Sequence, residues 1–231
     1  MLMKKRQKVA IFDIDGTIFR SSLLIELTNV LISKGVFPPN TSKKYLAAYK
    51  AWYERRGSYE EYVRKVVSEY EKSIKNKKYS DFMSAVKIVT AFHQNEVYKF
   101  TRELVLALKK KNYYLLAISH SPREVVESFS RHLGFNKVYG RVYEVKRGRF
   151  TGKILFTDLI DDKSKMLRRA VVKENLSLKG SIGVGDTEGD ISFLKIVSRP
   201  ICFNPNNNLY KYAKRASWEV VVERKDVVYK L

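Results

Sequence analysis

Two aspartates stand two positions apart, Asp13 and Asp15, inside a stretch that reads VAIFDIDGTI over residues 9–18. Carboxylates this close repel one another unless a proton or a positive charge sits between them. A hard cation held through oxygen ligands is the simplest remedy, and Mg²⁺ characteristically takes one or two carboxylates together with phosphate and water. A second acidic group, Asp186, Glu188 and Asp190 in the run GDTEGD, lies far along the chain. Asp190 can be read as the cap of a following helix, whereas Asp186 has no such structural use. Between the two acidic groups come Ser119, His120 and Ser121, and later Lys163 close to Lys165. A serine at the start of a helix can hold an anion together with backbone N–H groups. A plain N-cap fits Ser119 equally well, a solvated surface charge fits either lysine, and a D-x-D before glycine also occurs as a capped turn.

These residues need elements that carry them to one place. Residues 9–12 form a short apolar run that ends in a polar, glycine-containing turn, the pattern of a buried parallel strand. In open α/β sheets ligands bind beyond the carboxyl ends of such strands, where Asp13 and Asp15 fall. A second strand is expected at 113–118, ending in Ser119, followed by a helix from Pro122 to Leu133 that Gly134 closes. Residues 138–145 and 149–156 alternate around Lys146, Arg147 and Gly148 as a β-hairpin. A helix at 164–175 follows directly after Lys163. A strand at 181–184 delivers Asp186, with a helix at 191–197 behind it. A strand at 200–203, a helix at 207–216 and a strand at 218–223 complete the alternation.

The segment between the first two strands reads as helical throughout. Ser21 or Ser22 starts a helix stopped by Gly35 and the Pro38-Pro39 pair, and Thr41 or Ser42 opens a second, ended by Gly57. Ser58 with Glu61 resembles a capping box for a third, and Ser80 caps a fourth that runs on toward residues 96–111. So long an insertion exceeds an ordinary βα connection. It predicts a helical cap domain at residues 19–100, set on an α/β core of 1–18 and 101–231. The aromatics Tyr45, Tyr49, Trp52, Tyr53, Tyr59 and Tyr62 recur at helical spacing and are expected to form that block's own core.

Composition bounds the partners. The chain has 231 residues, 45% of them hydrophobic and 30% charged, and its 45 lysines and arginines against 24 acids give a net charge of +21. Such a field attracts anions, whether phosphorylated metabolites, nucleic acid or acidic lipid. The basic residues are spread over every segment, densest at 1–8, 43–78, 137–153 and 163–179, with no zinc-finger spacing, RNP-like signature or long basic tail. A nucleic-acid partner is therefore the less favoured reading. Cys202 is the single cysteine, which excludes an intramolecular disulfide and argues against a cysteine-based zinc site. No apolar run approaches a membrane span, and the apolar stretch behind the basic residues 1–8 is too short for a signal peptide. A cytoplasmic protein, monomeric or homodimeric, is expected.

Taken in order, FDIDGT, AISHS, Lys163 and GVGDTEGD, with a helical insertion after the first of them, resemble the four motifs of the haloacid dehalogenase superfamily. The branch resembled is the one that includes phosphoserine phosphatase, and the likeness covers nearly the whole chain. It implies a Rossmann-like parallel sheet and a Mg²⁺-dependent phosphatase that hydrolyses a small phosphomonoester through an aspartyl-phosphate. By the resemblance Asp13 is the nucleophile and Asp15 the acid and base, with its main-chain carbonyl turned to the metal. Asp186 and Asp13 hold Mg²⁺ with support from Asp190, and Ser119, His120 and Lys163 lie around the phosphoryl group. The chain departs from the phosphoserine enzymes at three positions: Ser22 stands where a substrate-gripping glutamate is found, His120 where a small residue is usual, and Gly189 where asparagine is usual. Arg55 and Arg56 are candidates for a cap arginine that binds substrate. The substrate is thus left open, and the alternative is a basic nucleic-acid-associated protein on the same fold, acting on phosphorylated ends.

Overall fold

The computed structural model describes residues 6–231, so of the basic segment 1–8 only the last three residues fall within it and 1–5 lie outside the described residues. Strand β1 (Gln7–Asp13) lies inside a single sheet of eight strands. It pairs in parallel with β2 (Tyr114–Pro122) on one side and with β5 (Leu176–Gly185) on the other. Parallel pairing continues outward from β2 to β3 (Lys137–Lys146), and from β5 through β6 (Arg199–Phe203) to β7 (Glu219–Arg224). Both edges are antiparallel: β3 turns back as β4 (Arg149–Leu155), and β7 as β8 (Val227–Lys230). The turn between β3 and β4 places Arg147 and Gly148 both at positive φ, the backbone twist that suits a two-residue hairpin. This is the parallel α/β sheet with a hairpin that the alternation predicts. Strand β8 was not expected, because its turn at Lys225 and Asp226 carries no glycine and its four residues are all exposed.

The apolar strands feed two cores by their period of two. Ala10 and Phe12 face one layer with Leu115, Ala117 and Val184, while Val9 and Ile11 face the other with Leu116 and Ile118. The second layer holds α8 (Lys163–Lys173), α9 (Ile191–Leu194) and α10 (Asn207–Ala216). Asp13 has the parity of Val9 and Ile11, so its side chain comes out under the start of α8. A short helix α7 (Thr157–Ile160) links the hairpin to α8.

The first layer is built by α1 (Leu23–Ser33), α4 (Tyr79–His93), α5 (Lys99–Lys110) and α6 (Arg123–Ser130). Leu23 and Leu27 of α1 and Phe82 and Val86 of α4 belong to the same apolar cluster as Phe12 of the sheet. Only α2 (Lys43–Tyr53) and the first half of α3 (Tyr59–Ile74), with Ile25 of α1, form a separate cluster, around Tyr45, Ala48, Tyr62 and Val66, while Tyr70 and Ile74 of α3 join the main core. The inserted helices are thus half rooted in the main core. The expected boundary at 100/101 lies within α5, whose Val105 and Leu108 join that core.

Several local expectations shift for identifiable reasons. Ser58 does cap α3, its Oγ accepting from Glu61 N at 3.1 Å. Ser80 caps nothing: α4 begins at Tyr79, whose N–H donates to Gly148 O of the hairpin at 2.9 Å. The hairpin backbone does the work of a side-chain cap, and Asn76 N and Phe150 N complete the seam by donating to Phe150 O and Lys77 O. α4 does not run on to residue 111, because Val97 bridges to Phe19 and α5 starts afresh. The Glu223 carboxylate accepts from Lys99 N and Phe100 N there, a cap supplied from far along the chain. β2 continues through Pro122, which pairs with Arg141, so α6 starts at Arg123 and ends at Ser130. Among the described residues no helix is long and apolar enough to cross a membrane.

Candidate functional site

Asp13 ends β1, buried, with Lys163 Nζ donating to its Oδ1 at 2.5 Å. Lys163 is the first residue of α8, and Asp162 before it caps the helix by accepting from Ser164 N at 2.8 Å. That cap fixes the helix start, so the lysine is aimed inward rather than into solvent. Its ammonium also donates to Asp190 Oδ1 at 2.6 Å, and all three side chains are buried. A buried pair of this kind is strongly destabilising to break by removing one partner, at about 3–5 kcal/mol.

Asp190 does not cap α9 with its side chain. Its Oδ2 instead accepts from the backbone N–H groups of Asp186 and Thr187, at 2.9 and 3.0 Å. This tightens the loop after β5 and presents Asp186, whose Oδ1 accepts from Thr17 Oγ1 at 3.1 Å. Two glycines make the approach possible. A Cβ on Gly185 would overlap the Asp190 side chain, and one on Gly16, which sits at φ +80, would overlap Asp186 Oδ2. Carboxylate oxygens of Asp13, Asp186 and Asp190 lie within 4.8 Å of one another, the arrangement that could hold a metal ion. Burial, followed by the charges of Asp13 and Asp190, holds the Asp186 carboxyl well above the usual range. Asp13 is pushed up to about 7, by burial first and then by Asp190 and Asp15, against the opposing pull of Lys163.

Asp15 contributes no carboxylate to that cluster. Its Oδ2 accepts from Ser119 Oγ at 2.5 Å and Ser121 Oγ at 2.9 Å, and its Oδ1 from Leu23 N at 2.5 Å. Burial raises its pKa in spite of these donors. Its main-chain carbonyl is the atom left for a metal. Ser119 itself lies in the strand four residues ahead of α6, accepting from Ser121 N at 2.9 Å, so it is not the residue that opens a helix. His120 turns its Nε2–H to Ile160 O at 3.0 Å. Desolvation of its inner side, then the positive charges of Lys163 and Arg141, lower its pKa to about 4, so the ring is neutral at pH 7 even though it is partly open to solvent. Its imidazole brings no positive charge to an anion.

Thr17, Ser121 and Arg20 are site residues that the sequence reading missed. Ser121 was legible as the last residue of AISHS and Thr17 as the last residue of FDIDGT, whereas nothing local marks Arg20. Arg20 lines a cavity of about 660 Å³ that reaches from Gly16 and Asp186 to Tyr45, Trp52, Tyr59 and Tyr62. Arg55 and Arg56 are exposed and off this cavity, Arg56 being held by Glu54. The aromatics of α2 and α3 divide accordingly. Tyr45 and Tyr62 are buried in their own cluster as expected, Trp52 and Tyr59 are half-buried on the cavity wall, and Tyr53 is 70% exposed.

A model of the haloacid dehalogenase-like hydrolase family matches residues 10–195. Over 127 residues the chain is 27% identical to phosphoserine phosphatase SerB1 of Mycobacterium tuberculosis, a stretch that takes in 54% of this chain and 41% of that relative. It is 24% identical over 226 residues to the phosphoserine phosphatase of Methanocaldococcus jannaschii, covering 97% of this chain and 96% of the other. A crystal structure of phosphoserine phosphatase in apo form superposes with a TM-score of 0.65 over 96% of each chain, at 20% identity. The fold is therefore shared at low sequence identity.

Proposed function

We infer that this chain, which belongs to the haloacid dehalogenase-like hydrolase family, is a phosphatase that hydrolyses a phosphomonoester through Asp13 with Mg²⁺ as its cofactor. The observation that carries the reading is the juxtaposition of a buried strand-end carboxylate with one ammonium and two further carboxylates. The donor set fits the cation. Three hard oxygen donors face a single lysine charge, and burial, followed by the neighbouring negative charges, raises the pKa of Asp13 and Asp186, which a bound cation would offset. Asp13 and Asp186, with the Asp15 carbonyl, would hold Mg²⁺, which supplies charge neutralisation to the phosphoryl oxygens. Both oxygens of Asp190 are already engaged, so it positions Lys163 and the Asp186 loop.

The chain's own groups then carry two displacements. A carboxylate oxygen of Asp13 attacks phosphorus, and the bond from phosphorus to the leaving oxygen breaks as Asp15 gives that oxygen its proton. Asp15, now ionised, takes a proton from water. The water oxygen attacks phosphorus of the aspartyl-phosphate and releases inorganic phosphate and the Asp13 carboxylate. The raised pKa of Asp15 suits the first role, and the hydroxyls of Ser119 and Ser121 stabilise the second. Lys163 offsets negative charge as the phosphoryl group arrives.

The helical insertion at 19–100 is read as a cap that excludes water once substrate is in place. Supporting this, Tyr59 and Tyr62 of α3 line the same cavity as Asp186 in the loop after β5. The test is phosphate release from a panel of phosphomonoesters with Mg²⁺ and with EDTA. Release that needs Mg²⁺ is expected, and release that is indifferent to EDTA would overturn the metal assignment. The close approach at Gly16 makes a second prediction. Gly16→Ala should weaken Mg²⁺ binding about tenfold or more by displacing Asp186, measured by titration calorimetry, and unchanged affinity would contradict the role given to Asp186.

A further inference from the structure

The cavity that opens from Asp186 and Gly16 is walled by aromatic rings. Trp52 and Tyr62 are stacked at 5.7 Å with 12° between their planes, and Tyr59 packs on Trp52 at 5.1 Å. On the opposite side Arg20 lies 5.8 Å from the centre of the Tyr98 ring. Tyr59 is close enough to the site that the charges of Asp15 and Asp186, after burial, raise its pKa. At about 660 Å³ the cavity is within the range that encloses drug-sized ligands, about 300–1,000 Å³. A three-carbon alcohol would leave most of it empty. The groups expected to grip an amino-acid phosphate are not the ones present: Ser22 is neutral and buried and Arg55 and Arg56 are off the cavity, where Arg20 and Glu26 are among the charged groups beside the rings.

We propose that the leaving group is an alcohol bearing a planar ring, of which a nucleoside 5′-monophosphate is the type, with the ring laid against Trp52 and Tyr59 while its phosphate reaches Asp13. This rests on the phosphatase reading of the site. Rings stack on aromatic side chains with little regard to their substituents, and the distance from the α2–α3 wall to Asp186 is bridged by one continuous cavity. Glu26, whose Oε1 accepts from Ser21 Oγ at 2.7 Å, and Lys43 add polar groups to the wall for the hydroxyls and edges of such a ligand.

The experiment has two arms. In the first, kcat/KM is compared for adenosine 5′-monophosphate, phenyl phosphate, glycerol phosphate and phosphoserine, in wild type, Trp52→Ala and Trp52→Phe. The ring-bearing esters should be preferred by about tenfold or more. Trp52→Ala should cut that ratio about tenfold, and Trp52→Phe, which keeps a ring, should retain it. In the second arm, Asp13→Asn is titrated with the same compounds and tryptophan emission is followed. The chain has two tryptophans, and Trp218 packs on Tyr212 outside this cavity. Quenching by adenosine 5′-monophosphate that disappears in Asp13→Asn/Trp52→Phe supports the ring site. Equal or better turnover of glycerol phosphate or phosphoserine overturns the ring and leaves the phosphatase standing. Quenching without phosphate release from any compound leaves a ring-binding site but overturns the phosphatase reading, and with it the leaving-group assignment. Absence of Trp52-dependent quenching overturns the ring outright.

Discussion

Asp13→Asn should lower phosphate release by at least about 10⁴-fold while the protein stays folded. Asparagine keeps the shape at the end of β1, but its amide cannot displace an alcohol from phosphorus. Lys163 retains Asp190 as partner, so no charge is stranded. The substitution also has a signature in stability. The folded chain holds a proton on Asp13 up to about 7, where the unfolded chain gives it up near 3.8. The unfolded state therefore releases that proton first as pH rises, and this group erodes stability across the window between the two values. Asparagine does not titrate. In EDTA, the Tm of Asp13→Asn relative to wild type should climb between about pH 4 and 7 and level off above it. Thermal unfolding across that range checks it. Residual release within a hundredfold of wild type would remove Asp13 from the nucleophile's place, and a flat Tm difference would show that the folded chain does not raise its pKa.

Asp15→Asn should slow turnover by about 10² to 10⁴-fold with Mg²⁺ affinity within threefold of wild type. Its carboxylate stands apart from the acidic cluster, bound to two serine hydroxyls and Leu23 N. Both displacements need its proton, first to give and then to take. A phosphomonoester with a strongly acidic alcohol needs no protonation on leaving, so its first step should be spared and the aspartyl-phosphate should accumulate. Rapid-quench measurement of phosphate bound to the protein reads this directly. A variant that turns over normally, or that loses Mg²⁺, would assign Asp15 elsewhere.

The strands that carry this chemistry were legible because each is a short apolar run stopped by polar residues. Asp13, Ser119 and Asp186 could each be placed at or just beyond the end of an expected strand before any coordinates, although β2 runs on through Pro122 and leaves Ser119 within it. α10 was legible to the residue, since Asn206 caps it locally and Ser217 ends it at positive φ. What escaped reading depends on partners distant in sequence. Glu223 caps α5 from β7, more than a hundred residues along the chain, and the hairpin starts α4, so Ser80 offered a false local signal. Asp190 resembles a helix cap from its position alone, and only the fold of the loop after β5 turns its two oxygens to Lys163 and to backbone N–H groups. The aromatics of α2 and α3 show helical spacing whether they fill a core or line a cavity. Their periodicity could not separate Tyr62, which is buried, from Trp52, which faces open space.

The seam between the hairpin and the start of α4 carries a mechanical consequence. Asn76, Lys77 and Tyr79 are stitched by backbone hydrogen bonds to Gly148 and Phe150, and α1 and α4 are embedded in the main core. The carboxyl end of α3 is therefore the anchored root, and its other end, together with α2, bears Trp52 and Tyr59 and packs on Ile25 of α1. Tyr59 stands some 15 residues and about 22 Å of helix away from Ile74. The hairpin edge of the sheet thus anchors the root of the helix whose other end carries Tyr59 to the cavity wall, from a place that touches no substrate.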